Sequence, residues 1–287
     1  MILFTDGGST KCDWVLLNSE GKKILQTQTL GLNPTVVPKE ELENRILYNP
    51  ELREVMMDAT QVDFYGAGCG TKTPRGRLQQ VLELLFVNAQ VTVREDLAAA
   101  VYAVTTTAGI VCILGTGSNS CYFDGSTIHA PIPALGYSIM DEASGNYYGK
   151  QLLRDFFYGK MPEHLAEKFE NTFEVSPDSI KDSLYQKSNP NAYLASFAQF
   201  IFAGEITEPY FKSVIEEGIE NFINARILTF TEAREVPIHF IGSIAHFSKA
   251  IIEQCFAKHN LQLGTIVQRP MDGLVAYYQN TIKKTYE

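Results

Sequence analysis

The chain has 287 residues, of which 45% are hydrophobic, 20% charged and 11% aromatic, enough for two packed cores of ordinary globular composition. Its 24 basic and 33 acidic residues leave a formal charge of −9, and with no Lys/Arg run it carries no electrostatic footprint for nucleic acid. No apolar stretch approaches the ~18 residues that cross a bilayer, and five cysteines (Cys12, Cys69, Cys112, Cys121, Cys255), never spaced C-x-x-C, point to a reducing cytoplasm rather than a disulfide framework, zinc site or iron–sulfur site.

Ile2 to Thr5 reads as a short apolar strand without the basic flank of a signal peptide. It stops at Asp6-Gly7-Gly8-Ser9-Thr10-Lys11. Apolar character resumes over Cys12–Leu17, turns at Asn18–Gly21 and continues through Lys23–Leu30, an antiparallel meander. Lys39–Met57 has helical character with a break at Asn49-Pro50. Val62–Gly66 reads as a buried strand ending in Gly66-Ala67-Gly68-Cys69-Gly70, and Arg75–Val87 has helical spacing of leucines. Val91–Val93 is a strand followed by a helix from Asp96 to about Thr106.

The meander then recurs about 109 residues after its first copy. Ile110–Leu114 runs into Gly115-Thr116-Gly117-Ser118-Asn119-Ser120, then Cys121–Phe123, a turn at Asp124–Ser126, and Thr127–Ala130. This points to a duplicated α/β protein. Ser144–Arg234 is mostly helical, with breaks near Pro162, Pro177, Pro190 and Pro209. Val236–Ile241 is a strand, Ser243–Lys258 a helix, Thr265–Arg269 a last strand, and Met271–Lys284 a closing helix. The expected division is an N-terminal lobe over 1–108 and a C-terminal lobe over 109–270, with the closing helix, about 271–287, completing the first lobe.

Gly-rich turns between strands expose several backbone N–H groups and let a phosphate approach where no Cβ intervenes. Asp6–Lys11 does this beside a carboxylate, suiting a phosphate whose Mg²⁺ is held through water by Asp6; a plain hairpin turn is the alternative. Thr116-Gly117-Ser118-Asn119 offers a second such turn, and neither is a Walker A loop. Gly242-Ser243, between a strand and a helix, suits an adenine or α-phosphate, or is a simple helix cap by Ser243. Asp96 opens a helix of small residues, as a cap or as a general base taking a hydroxyl proton, with Glu95 adjacent. Asn33, before Pro34, offers an amide to a sugar hydroxyl or serves a turn. Asp141 precedes an aromatic-rich helix and could accept bonds from a polyol. The five histidines are scattered and suggest no metal site.

Asp6-Gly7-Gly8-Ser9-Thr10, Gly115-Thr116-Gly117-Ser118-Asn119 and Gly242-Ser243, in this order and spacing, resemble the actin-like ATPase superfamily of sugar kinases, heat-shock ATPases and actin. The resemblance covers nearly the whole chain and is strongest to the N-acetylglucosamine kinases, a group shared with benzoyl-CoA reductase activator ATPases. It implies two actin-like (ribonuclease H-like) α/β lobes with a nucleotide cleft between them. It further implies ATP phosphates bound at the two turns (Thr10, Thr116) and adenosine at Gly242. Sugar would be bound by Asn33, Asp96, Ser118, Asn119, Gly136 and Asp141, with Asp96 the catalytic base. The partners implied are a small-molecule sugar and ATP with Mg²⁺; a homodimer is one open arrangement.

Three features depart from the family pattern. Gly136-Tyr137 replaces a tryptophan-bearing turn of mammalian members. Lys11 closes the first turn, facing phosphate or solvent. Cys69, Cys112 and Cys121 lack the spacing of the cluster ligands that activator ATPases share across a dimer. The expected activity is ATP-dependent phosphorylation of an amino sugar, N-acetylglucosamine to its 6-phosphate. A kinase for glucosamine or another hexose, and an ATPase activator or sensor, remain the alternatives.

Overall fold

In the computed structural model, which describes residues 1–187, 189–203 and 206–286 with side chains as far as 282, the chain forms two compact units. They are Met1–Thr105 with Pro270–Glu287, and Thr106–Arg269; residue 287 itself lies outside the described residues.

The first unit runs β1 (Ile2–Gly7), β2 (Lys11–Leu17), β3 (Lys23–Leu30), α1 (Lys39–Leu47), α2 (Pro50–Val55), β4 (Gln61–Gly66), α3 (Lys72–Leu85), β5 (Gln90–Glu95) and α4 (Asp96–Val104). Its sheet order is β3-β2-β1-β4-β5, with β1 antiparallel to β2 but parallel to β4, and β4 parallel to β5. The middle strands bury both faces, so they read as nearly continuous apolar runs, whereas edge strand β3 alternates exposed with half-buried residues. Trp14 anchors the core against Phe64 and Phe86, ring centroids 6.2 Å from each. Leu78, Val81 and Leu82 are the buried stripe of α3.

The second unit contains β6 (Gly109–Leu114), β7 (Ser118–Phe123), β8 (Ile128–His129), α5 (Gly145–Phe157), α6 (Glu163–Thr172), α7 (Pro177–Tyr185), α8 (Pro190–Phe197), α9 (Gln199–Phe202) and α10 (Pro209–Phe222). They are followed by β9 (Ile238–Ile241), α11 (Ser243–Phe247), α12 (Lys249–His259) and β10 (Leu263–Val267). The order is β10-β9-β6-β7-β8, β6 being antiparallel to β7 and parallel to β9. Each unit therefore centres its own first strand between an antiparallel meander and parallel crossovers, which is the two-fold α/β architecture of actin-like proteins. The four prolines that read as helix breaks are helix starts. Pro177, Pro190 and Pro209 occupy first-turn positions, where a missing N–H costs nothing, and Pro162 is the cap residue of α6.

Several boundaries differ from the pattern reading. β1 runs on through Asp6 and Gly7, and β7 begins at Ser118 rather than Cys121. Polar residues carry these ladders: Asp6 pairs with Asp13, and Ser118 with Leu114. Backbone pairing does not depend on side-chain polarity, and Ser118, Asn119 and Ser120 are buried although polar, so the apolar pattern stops short of the strand. The helix expected over Ser243–Lys258 divides at Ser248, and the last strand ends at Val267, not Arg269.

The closing helix, α13 (Met271–Tyr286), packs in the first unit on α4. Tyr278 stacks on Phe4 at 4.3 Å, donates to Asp63 Oδ2 at 2.6 Å and lies 2.7 Å from the Tyr65 hydroxyl. Among the described residues no helix is long and apolar enough to cross a membrane. The α4–α13 contact depends on Gly273, where a Cβ would lie 2.2 Å from the Ala103 carbonyl oxygen. Gly273→Val should lower the melting temperature, at an overpacking cost of about 1–3 kcal/mol. A melting temperature equal to wild type by calorimetry would show that α13 does not dock on α4.

Candidate functional site

In the first unit the parallel strands end in register: Gly7 lies beside Gly66, and Gly66 beside Glu95. Ligand-binding groups of α/β sheets gather at these carboxyl ends. The turn after β1 closes by a 2.8 Å bond from the Gly8 amide to the Lys11 carbonyl. Gly31 lets the chain cross it closely, since a Cβ there would fall 2.2 Å from the Ser9 carbonyl. Asn33 then clamps the turn from above. Its Nδ2 donates to Ser9 Oγ at 3.0 Å, and its Oδ1 accepts from the Thr35 amide at 2.9 Å. Thr35 Oγ1 donates to the Gly68 carbonyl at 3.2 Å. Gly68 has φ +78°, and a Cβ on it would collide with Asn33 Oδ1 at 2.0 Å. The Gly66–Gly70 loop thus belongs to the site, although the sequence marked it only as a strand end; three glycines in five residues were the available signal.

Carboxylates collect at the same end of the sheet. Asp6 is half-buried, and its pKa is pushed up to about 6 by burial and by Asp13 opposite, with Lys11 opposing. The Lys11 ammonium is exposed and bonded to Asp13 Oδ2 at 2.8 Å, while Gln28 donates to the other Asp13 oxygen. Thr10 is exposed at the tip of the turn. Asp96 is the first residue of α4, after Glu95 at the cap position, and no Glu95 side-chain bond caps the helix. Burial, then Glu95, then Asp6 push the Asp96 pKa up to about 7, with its own and the Leu97 amide opposing. A carboxyl group whose proton affinity falls near neutrality is matched to proton transfer.

The second unit builds another turn from different bonds. The Gly115 amide donates to Gly117 O, and α5 begins against it, Gly145 N to Gly115 O at 2.8 Å and Asn146 N to Thr116 O at 3.0 Å. Asp141, with φ +74° and 8% exposed, lies against this turn. Its Oδ1 accepts from the Ser118 amide at 3.3 Å and its Oδ2 from Asn146 Nδ2 at 2.9 Å. A Cβ on Gly117 would sit 2.9 Å from Asp141 Oδ2, so this glycine makes room for the carboxylate itself. Ser118 Oγ is buried with no hydrogen-bond partner. Asn119 Oδ1 accepts from the Ser120 amide and from Arg226 Nη2, at 2.9 and 2.8 Å.

Gly242, φ +121°, presses on Leu114 and Gly115; a Cβ would lie 2.1 Å from the Leu114 carbonyl oxygen. The structure therefore brings Thr116, Gly117, Ser118, Asp141 and Gly242-Ser243 together. The cap position of α11 is Gly242, not Ser243; Ser243 is exposed, and no side-chain bond caps the helix. Gly136, φ +81°, opens a separate turn that the Met140 amide closes onto its carbonyl at 2.9 Å.

At the far end of α11 lies a cavity of about 590 Å³, within the range of small-molecule pockets, lined by Phe202, Ile206, Lys212, Glu216, Phe247 and Ile251 among others. Phe202 and Phe247 face each other at 6.1 Å. No motif announced these residues, since apolar positions at helical spacing read as core.

No family profile and no curated protein sequence matches the chain. Solved structures do. A candidate N-acetylglucosamine kinase from Porphyromonas gingivalis is 35% identical, with a TM-score of 0.90 over 98% of this chain and 99% of that one. The chain belongs to the N-acetylglucosamine kinase family of actin-like sugar kinases. A second candidate N-acetylglucosamine kinase, from Chromobacterium violaceum, shares the fold at 14% identity and a TM-score of 0.76, over 96% and 98% of the two chains. A ROK-family glucokinase from Streptomyces griseus, solved with glucose and AMPPNP, shares it at 13% and 0.58, over 99% of each.

Asp96 has a testable thermodynamic signature. Its folded pKa, about 7, lies above the ordinary 3.8, so the folded state holds a proton that the unfolded state releases earlier. Stability contributed by this group therefore falls as pH rises from about 4 to 7 and stays low above. Asp96→Asn should melt higher than wild type at pH 8, with the gap closing towards pH 4. A pH-independent gap would show that Asp96 titrates normally.

Proposed function

We propose that this protein is an ATP-dependent kinase that phosphorylates an amino sugar, N-acetylglucosamine, at its primary hydroxyl. One observation carries the reading: Asp96, at the carboxyl end of β5, has its proton affinity raised to near neutrality by burial and by two neighbouring carboxylates. Membership of a sugar-kinase family supports it. The attacking sugar oxygen forms a bond to the γ-phosphorus of ATP as the β–γ bridging P–O bond breaks, and Asp96 takes the hydroxyl proton. Asn33, braced by Ser9 and Gly68, orients the sugar in the first unit; Ser118, Asn119, Gly136 and Asp141 are the proposed sugar contacts of the second.

The Asp6–Lys11 and Thr116–Gly117 turns are the proposed phosphate-binding elements, with Gly242-Ser243 beside the second. The cavity ending at Phe247 suits the apolar faces of a purine. Asp6, its ionisation opposed by burial and by Asp13, would gain from a nearby cation. It would hold Mg²⁺ through water, and the ion would neutralise phosphate charge. The five cysteines are all buried thiols, a poor placement for cluster ligands shared between two copies, which disfavours the activator reading.

ADP release measured against a panel of hexoses and hexosamines should be sugar-dependent and greatest with N-acetylglucosamine. Equal release with and without every sugar would sink the kinase reading. Asp96→Asn should lose roughly 10²–10⁴-fold in kcat with ATP affinity nearly unchanged; a near-normal kcat would place the base elsewhere. Phe247→Ala should raise the KM for ATP and leave that for sugar alone. An unchanged ATP KM would remove the cavity from the nucleotide site.

A further inference from the structure

Arg226 is 3% exposed and sits far from every motif in the sequence. It lies in a π-helical turn, Ile223–Ile227, that follows α10 and closes through a 2.9 Å bond from the Leu228 amide to the Ile223 carbonyl. Such turns insert an extra residue, are less favourable than regular helix, and recur at functional sites. Here the turn lets one residue engage two separate segments of the second unit. The guanidinium donates through Nη2 to Asn119 Oδ1 at 2.8 Å and through Nη1 to the Pro133 carbonyl at 3.4 Å. The Arg226 carbonyl accepts from Ser120 Oγ at 3.2 Å and Thr229 Oγ1 at 3.3 Å.

Asn119 lies on β7, and Pro133 begins the segment that leads to Gly136 and Asp141. A second pin holds that segment, Lys150 Nζ donating to the Tyr137 carbonyl. Asn119 Oδ1 accepts two donors, the Ser120 amide and Arg226, so its amide has one orientation: the carbonyl towards Arg226 and the NH₂ group away. A planar fork is what such a double engagement needs; an ammonium offers no fixed pair of N–H vectors.

We infer that Arg226 is a positioning residue for sugar binding, which fixes the amide polarity of Asn119 and the start of the 133–141 segment through one guanidinium. This rests on the proposed sugar contacts at Asn119, Gly136 and Asp141. On this inference the effect of Arg226 reaches the sugar through Asn119 and the segment.

The test is a double-mutant cycle on the full chain, read by sugar-dependent ADP release and by melting temperature. Arg226→Lys keeps the positive charge and loses the fork. It should raise the KM for sugar about tenfold or more, as misplaced binding groups do, while the KM for ATP stays within about twofold. In an Asn119→Ala background much of that effect should vanish, because Asn119 is one of the two groups through which it acts. An unchanged sugar KM in Arg226→Lys, or the same increase in both backgrounds, would overturn the inference.

Should Arg226→Lys fold poorly, Asn119→Asp decides instead. It keeps acceptor oxygens for Arg226 and Ser120 but replaces the NH₂ donor, so sugar KM should rise while the KM for ATP stays within about twofold. A wild-type sugar KM in Asn119→Asp would equally overturn the inference. Wild-type protein that shows no sugar-dependent release at all would instead refute the kinase reading on which this inference stands.

Discussion

The central place of the first strand in each sheet dictates where the functional groups of both units lie. β1 and β6 each pair antiparallel on one side and parallel on the other. A strand in that position must turn back at once into its antiparallel neighbour, at the end where parallel neighbours feed their helices. A tight turn, a strand-to-helix junction and the buried ends of several strands are thereby forced into one small volume. Close approach there tolerates few Cβ atoms, and Gly31, Gly68 and Gly242 each stand where a Cβ would fall within 2.2 Å of another atom.

The same crowding produces the electrostatics. Asp6 is the last residue but one of β1 and Asp96 opens α4 after β5, so both carboxylates lose water, and each lies in a field of like charge. Like charge in a shielded place is unfavourable for folding and suits proton transfer, since it raises proton affinity from the ordinary carboxylate range to near neutrality. Lys11 relieves this only in part for Asp6, its ammonium being engaged by Asp13 at the exposed side of the turn.

Several polar side chains that suit a ligand are also braced by the protein. Asn33 joins Ser9 to the Thr35 amide, Asp141 holds the Ser118 amide and Asn146, and Asn119 Oδ1 faces Arg226. Asp141 and Asn119 are buried and Asn33 half-buried, and such polar groups would be costly without partners, so the fold supplies them. A group held this way has little freedom left to lose when a ligand arrives. For Asn33 the turn reading and the ligand reading do not compete, because the bonds that make the turn also aim the amide.

The amino-acid sequence by itself determined the order of strands and helices, the duplicated meander, the glycine turns after β1 and β6, and the placing of Asp96 at a strand–helix junction. These are local: alternation, helical spacing and turn chemistry act over a few residues and leave their mark in the pattern. Partnership over long separations leaves none. Only the tertiary structure decided that Gly68 backs Asn33, that Arg226 reaches Asn119 across 107 positions, that Gly242 abuts Gly115, and that an aromatic cavity closes around Phe202 and Phe247. It also decided the proton affinity of Asp96, which depends on water removed and on charges brought near by packing. A sequence pattern records which side chains are apolar, whereas the identity of a buried group's neighbour is set by how the whole chain folds.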